Sequence, residues 1–169
     1  RIAADLFAIL RYLSGTHRAN FLPTGDGSPW GDDWQSAHWA CYLGHAAWLV
    51  WDSLDDDLKT MVARVIVHEA DRYNTRPPDS GEWSDTKAEE NAWNSQVIAL
   101  AACMFPRHPR NALWQERAKV YMINSYVRAS DRTSERLVDG LPAKDRLSAV
   151  TLHADFTLEN HGRVHPDYL

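Results

Sequence analysis

Several short stretches of the chain bring together residue types that reaction chemistry uses. Trp34, His38 and Trp39 form one, Glu90, Asn91, Trp93 and Asn94 a second, and Asn160, His161, Arg163 and His165 a third. Asparagine amides and arginines are fixed donors that stabilise negative charge as it develops on oxygen. Histidine titrates near neutrality and is the natural base to take a proton. Tryptophan offers a flat amphipathic face, which favours a sugar or an aromatic partner. Glycoside hydrolysis needs instead two carboxylates about 5–10 Å apart; Asp32, Asp33, Asp85, Glu90, Asp155 and Glu159 are the candidates. All these acids and amides have a purely structural alternative, because such groups also cap helices. His161-x-x-x-His165, with His153 and Asp155, has zinc-ligand types. A helix opening at Pro166 would leave both histidines in loop, so neither a metal nor a cofactor enters the reading.

The elements that must position these groups follow from periodicity. The organising stretch is Ser84–Phe105, polar and aromatic in its first half and uncharged from Val97 onward. Thr86-x-x-Glu89 fits a capping box, so a helix is expected over 86–105, apolar on all sides and therefore buried. Residues 35–51 repeat the pattern: a wet aromatic start, then a dry body. Amphipathic helices are expected over 2–14 (Ile2, Leu6, Ile9, Leu10 and Leu13 inward), 56–74 (Leu58, Met61, Val62, Val65, Ile66 and Tyr73 inward) and 110–128 (Trp114, Ala118, Tyr121, Met122 and Ser125 inward). Asp55-Asp-Asp57 suits a helix N-terminus. Lys59, Arg64, His68, Asp71 and Arg72 are expected in solvent, and His45 and His68 as packing or surface histidines. Residues 129–157 read as irregular, with a helical turn near Lys144–Val150, and the end from Thr157, with Glu159–Asn160, as the entrance to a further helix beginning near Pro166.

Connections alternate between short and long, which makes hairpins whose long loops gather beside the N-termini of the apolar helices. Trp39 recurs as Trp93 and Glu90-Asn91 as Glu159-Asn160, a repeat of roughly 55 to 70 residues of the kind seen in solenoids and toroids. The expected fold is all-α: antiparallel helical hairpins in inner and outer layers, a partial α/α toroid, forming one domain over 1–169.

Composition narrows the partners. A net charge of −5 on 169 residues excludes the basic excess typical of nucleic-acid and membrane-surface binders. It leaves room for an acidic ligand held by local cations: His17, Arg18, Arg76, Lys87, Arg132, Arg136, Lys144, Arg146 and Arg163 all fall on the long loops or beside them. Eight tryptophans exceed what core filling requires. Cys41 and Cys103 are expected as buried free thiols. No secretory signal or membrane-spanning run is visible, and the chain, opening at Arg1 already as helix, reads as a piece of something longer.

Hairpins with Trp/Asn/His-rich helix mouths resemble the α/α toroid of carbohydrate-active enzymes. The likeness is nearest to the helical domain of the heparinase II/III and alginate-lyase type polysaccharide lyases. It covers most of the chain in pattern and rests in motif on Glu90-Asn-Ala-Trp-Asn94 and Asn160-His161. The resemblance implies that Asn160 neutralises a uronate carboxylate while His161 acts as donor or base in a β-elimination. Glu90 and Asn91 are the further catalytic candidates, and Trp34, His38, Trp39, Trp93, Asn94, Arg163 and His165 would bind an acidic polysaccharide or oligosaccharide. Such lyases take a catalytic tyrosine from a later hairpin, whereas here Tyr168 stands too near Asn160 to match. Another chain or a further segment would complete the ring. A glycoside hydrolase on the same face and a non-catalytic helical scaffold are the alternatives.

Overall fold

The structure is a computed structural model that describes residues 2–79, 87–160 and 163–164. The described residues are mostly helical: α1 (Ile2–Gly15), α2 (Ser36–Leu49), α3 (Asp56–Asp71), α4 (Lys87–Met104) and α5 (Asn111–Ile123). Two short antiparallel ladders join them, β1 (Leu137–Val138) with β2 (Leu141–Pro142), and β3 (Glu159–Asn160) with β4 (Arg163–Val164). No helix among the described residues is long and apolar enough to cross a membrane. The chain divides into two compact units, Arg1–Asn74 with Gln96–Gln115, and Thr75–Ser95 with Glu116–Leu169.

In the first unit α3 packs against both α1 and α2. Asp55 starts α3 as expected, its Oδ1 accepting from Leu58 N at 2.9 Å; Asp56 and Asp57 follow in the first turn, where negative charge suits the helix dipole. Leu58, Val62, Val65, Ile66 and Ala70 form the buried stripe. The end of α4 is capped from across the Pro106–Pro109 turn, where Asn111 Nδ2 donates to the carbonyls of Ala102 (2.7 Å) and Phe105 (3.2 Å).

α2 corrects the expectation of burial on every side. Its packed face is a stripe of small residues, Ala37, Ala40, Cys41, Gly44 and Ala47 with Leu43, while Trp39, Tyr42, Trp48 and Leu49 are exposed. Gly44 shows why: a Cβ there would lie 2.6 Å from both Ile66 Cδ1 and Leu100 Cδ2. Neighbouring side chains press against the helix backbone on that side, and the bulky Trp39 and Tyr42 point away from it. On α1, Leu10 is buried and Leu6 half-buried, while Ile9 and Leu13 are exposed, as is Met122 on α5. Cys41 is buried but Cys103 is exposed.

The second unit is tied by side-chain amides and hydroxyls. Asn124 Nδ2 donates to Val120 O and Arg146 O (both 2.8 Å), and its Oδ1 accepts from Ser148 N (2.7 Å) and Ser148 Oγ (2.8 Å). Thr151 Oγ1 accepts from Val127 N at 2.7 Å. The turn near Lys144 is a 3-10 turn over Ala143–Asp145. Glu159–Asn160 forms a strand, and the helix expected to begin near Pro166 lies outside the described residues. Glu159 N donates to Thr151 O, Leu152 bridges Leu158, and Lys87 Nζ grips Glu159 Oε1 at 3.0 Å, which draws the segment into an extended ladder. Thr86 of the expected capping box lies outside the described residues.

Candidate functional site

The densest chemistry in the first unit lies where the loop after α1 folds over α3. That loop is held along its length. Trp30 N donates to Thr16 O and Arg18 N to Trp30 O, forming a parallel bridge between His17 and Trp30. Asn20 Nδ2 donates to Ser14 O and Met61 O, both at 2.9 Å, tying the turn to α1 and α3. Phe21 and Asp32 adopt positive φ (60° and 62°), a region that non-glycine residues rarely occupy.

Beneath the loop is a buried cluster of charge. Ala19 N donates to His17 Nδ1 at 3.0 Å, so that nitrogen carries no proton, and the proton on Nε2 is donated to Glu69 Oε1, also at 3.0 Å. Glu69 further accepts from Asp32 N (3.2 Å), Ser36 Oγ (2.8 Å) and Arg72 Nη1 (2.5 Å). Burial alone would push the Glu69 carboxyl up. The His17 bond, the Arg72 charge and hydrogen bond, and the Ser36 bond outweigh it and hold the group at about 2. His17, expected as a loop cation, is thus fully buried and committed to Glu69. Arg72 likewise turns from solvent toward Glu69.

Above the cluster lies an open cleft of about 500 Å3, whose wall includes Arg18, Phe21, Asp32, Arg64, His68 and Asp71. His68 Nε2 meets Asp32 Oδ1 at 2.7 Å, and Arg72 Nε lies 3.6 Å from the same oxygen. Asp71 pairs with Arg110 at 2.7 Å and accepts from Trp114 Nε1 at 3.0 Å. Arg18 donates Nε to Gly31 O, but among the described residues neither Arg18 nor Arg64 has an acidic partner. Arg64 also borders an adjoining cleft of about 420 Å3 lined by Leu22, Asp57, Thr60 and Met61. Asp32, His68 and Glu69 place one ligand atom each within 4.8 Å of one another. Arg72 already supplies the positive charge there and Glu69 is fully engaged, so this trio does not fit a resident cation.

Of the residues singled out in the sequence, the carboxylate candidate Asp32 and the loop cation Arg18 line the first cleft; none of the described residues assigned to the lyase-like set lines either cleft. Trp34, His38 and Trp39 lie together at the start of α2. Trp39 sits 6.4 Å from Trp30, ring to ring, and His38 meets Tyr42 edge-on at 4.6 Å. Trp34, Trp39, Tyr42 and Trp48 are between 45 and 63% exposed. The second unit holds Glu90, Asn91 and Asn94, all buried, and Trp93, half-buried. Asn91 Oδ1 accepts from Asp79 N (2.8 Å), and its Nδ2 donates to Asp79 O (3.0 Å) and Asn124 O (3.2 Å). Asn94 Nδ2 reaches Asp79 Oδ2 at 3.2 Å, and Arg76 pairs with the other Asp79 oxygen at 2.6 Å. These amides clamp the loop that follows α3. Asn160 pairs with exposed Arg163 in the β3–β4 ladder; His161, His165 and Asp85 lie outside the described residues. Phe21 and Arg64 are not candidate site residues on sequence grounds. The available signal was Asp57, Thr60, Arg64, His68 and Asp71, a polar stripe at helical spacing on α3.

No protein-family model matches the chain, and no curated protein and no solved structure matches it either.

Proposed function

We propose that the protein is carbohydrate-active and recognises an acidic polysaccharide or oligosaccharide by stacking on the aromatic face of α2. The observation that carries this reading is the group of half-exposed rings at the start of α2, Trp34 just before the helix and Trp39 and Tyr42 on its first turns, with Trp39 and Tyr42 turned away from the stripe of small residues. Burying an aromatic ring is worth a good deal to a folding chain, so rings left facing water point to an external partner. The fold that goes with it is a partial α/α toroid of hairpins. Short connections from α2 to α3 and from α4 to α5, against long ones before α2 and α4, support that arrangement.

The reaction proposed is β-elimination at a uronate, in which a donor-stabilised enediolate forms as a base removes the proton beside the carboxylate. By resemblance Asn160 and His161 carry it. Asn91 serves it only indirectly, because its amide is fully used in clamping Asp79. The test is a titration of the full chain with uronic and neutral oligosaccharides, followed by tryptophan fluorescence and by ultraviolet absorbance of unsaturated sugar ends. Uronic oligomers should quench the fluorescence, and Trp39→Ala should weaken that response several-fold. Silence toward every glycan would end the carbohydrate reading; binding without unsaturated product would reduce it to recognition alone.

A further inference from the structure

We propose that the groove along α3 holds a stretch of polyuronate, with carboxylates on Arg18 and Arg64 and one sugar ring against Phe21. This rests on the carbohydrate reading for the nature of the polymer, but the site is distinct from the α2 aromatic face and stands on its own residues. Arg64 lines both clefts, and between them their walls take in one face of α3 from Asp57 to Asp71. At 1.5 Å per residue that face of α3 runs roughly 20 Å, which suits an extended chain better than a single small molecule.

The charges in the groove are unequal in their commitments. Asp32 is held by His68 and approached by Arg72, and Asp71 is held by Arg110. The guanidinium groups of Arg18 and Arg64 have no acid among the described residues, and each presents a planar fork that matches a carboxylate. Asp57 and Asp71 also border the groove, which disfavours a polymer bearing a full phosphate charge at every step. A sugar acid fits the mixture, since its hydroxyls can donate to aspartates while its sparser carboxylates meet the arginines.

Phe21 supplies the second, independent observation. It is 80% exposed on the lip of the cleft and takes φ of 60°, although neither burial nor backbone geometry favours a bulky ring there. Phe21 N bonded to His17 O and the double anchorage of Asn20 keep it in place. A strained residue that projects a flat apolar face beside two arginines is arranged for a ligand.

The experiment measures affinity of the full chain for an oligogalacturonate, a neutral oligosaccharide of equal length and inorganic sulfate. We expect Arg64→Gln to weaken oligogalacturonate binding about tenfold or more, as for loss of a charged hydrogen bond. Phe21→Gly should weaken it several-fold while leaving Tm unchanged or raised, because glycine accepts the positive φ. If oligogalacturonate binds and Trp39→Ala alone weakens it, the groove is overturned and the glycan reading survives. Sulfate binding that depends on Arg64, with no response to the oligomer, overturns the polymer in favour of a simple oxyanion site. No binding of any probe overturns both.

Discussion

The first unit organises its buried polar groups around a charged trio and the second around side-chain amides. Under the α3 groove a carboxylate, a guanidinium and an imidazole close on one another around Glu69. Under α4, Asn91 and Asn94 hold the backbone and side chain of Asp79, and Asn124 holds two further carbonyls. Both arrangements satisfy polar groups that would otherwise be orphaned out of water. They differ in what can disturb them. A charge cluster responds to protons and is strongly destabilised if one member is lost, whereas an amide clamp fails one hydrogen bond at a time. The charge cluster backs an open cleft and the amide clamp fixes a loop.

The largest effect should come from Glu69→Ala, which strands His17 and Arg72. Denaturant unfolding should show a loss of about 3–5 kcal/mol; a loss under 1 kcal/mol would mean that the cluster is not a unit. Asn91→Ala removes the partners of Asp79 N, Asp79 O and Asn124 O and should cost about 2–3 kcal/mol. If it proves costlier than Glu69→Ala, the ranking of charge over amide is wrong.

Acid separates the two regions further. The Glu69 carboxyl is depressed from 4.5 to about 2 by folding. Its contribution is therefore present above about pH 4.5 and is lost as pH falls through about 2. At about 1.4 kcal/mol per unit that amounts to roughly 3 kcal/mol. Glu69→Gln should flatten this acid limb and Asn91→Ala should leave it in place, measured as stability between pH 5 and 2. Tyr121→Phe, which deletes a hydroxyl donating toward Arg76 O and Pro77 O (3.0 and 3.1 Å), should cost about 1 kcal/mol.

The smallest effect is a rate. Exposed Cys103 should react quickly with a thiol reagent. Cys41 should wait for the first unit to open, since burial shields it and pushes its thiol up to about 11. Glu69→Gln should hasten the slow thiol and Asn91→Ala should not; equal acceleration would mean that both regions open together.

Much of the helical framework was legible because α3 carries a true amphipathic period and an Asp55 cap, and because Pro and Gly mark the loops. The orientation of α2 was not, since a helix apolar on every side has no polar face to orient it. Residue size decides there, and the small stripe Ala37, Ala40, Cys41, Gly44 and Ala47 was the overlooked signal. Asn91 was legible as special but its role was not, because an amide that clamps Asp79 and one that awaits a ligand look alike in sequence. Glu159–Asn160 repeats Glu90–Asn91 in letters only; its strand is set by Thr151 and Lys87, both distant along the chain. His17 was misjudged for the same reason, its partner lying on another helix.

Gly31 carries φ of 118°, and a Cβ there would come within 2.6 Å of His17 Nε2, whereas nothing lies within 4 Å of the same position on Gly25. Two glycines of one loop thus live under unequal rules. Gly25 is free to drift toward almost any residue, but a single methyl at position 31 would wedge the imidazole off its carboxylate and undo the groove's floor from above. In a library of random variants, tolerance at one and intolerance at the other would mark where this loop stops being a tether and becomes part of the machine.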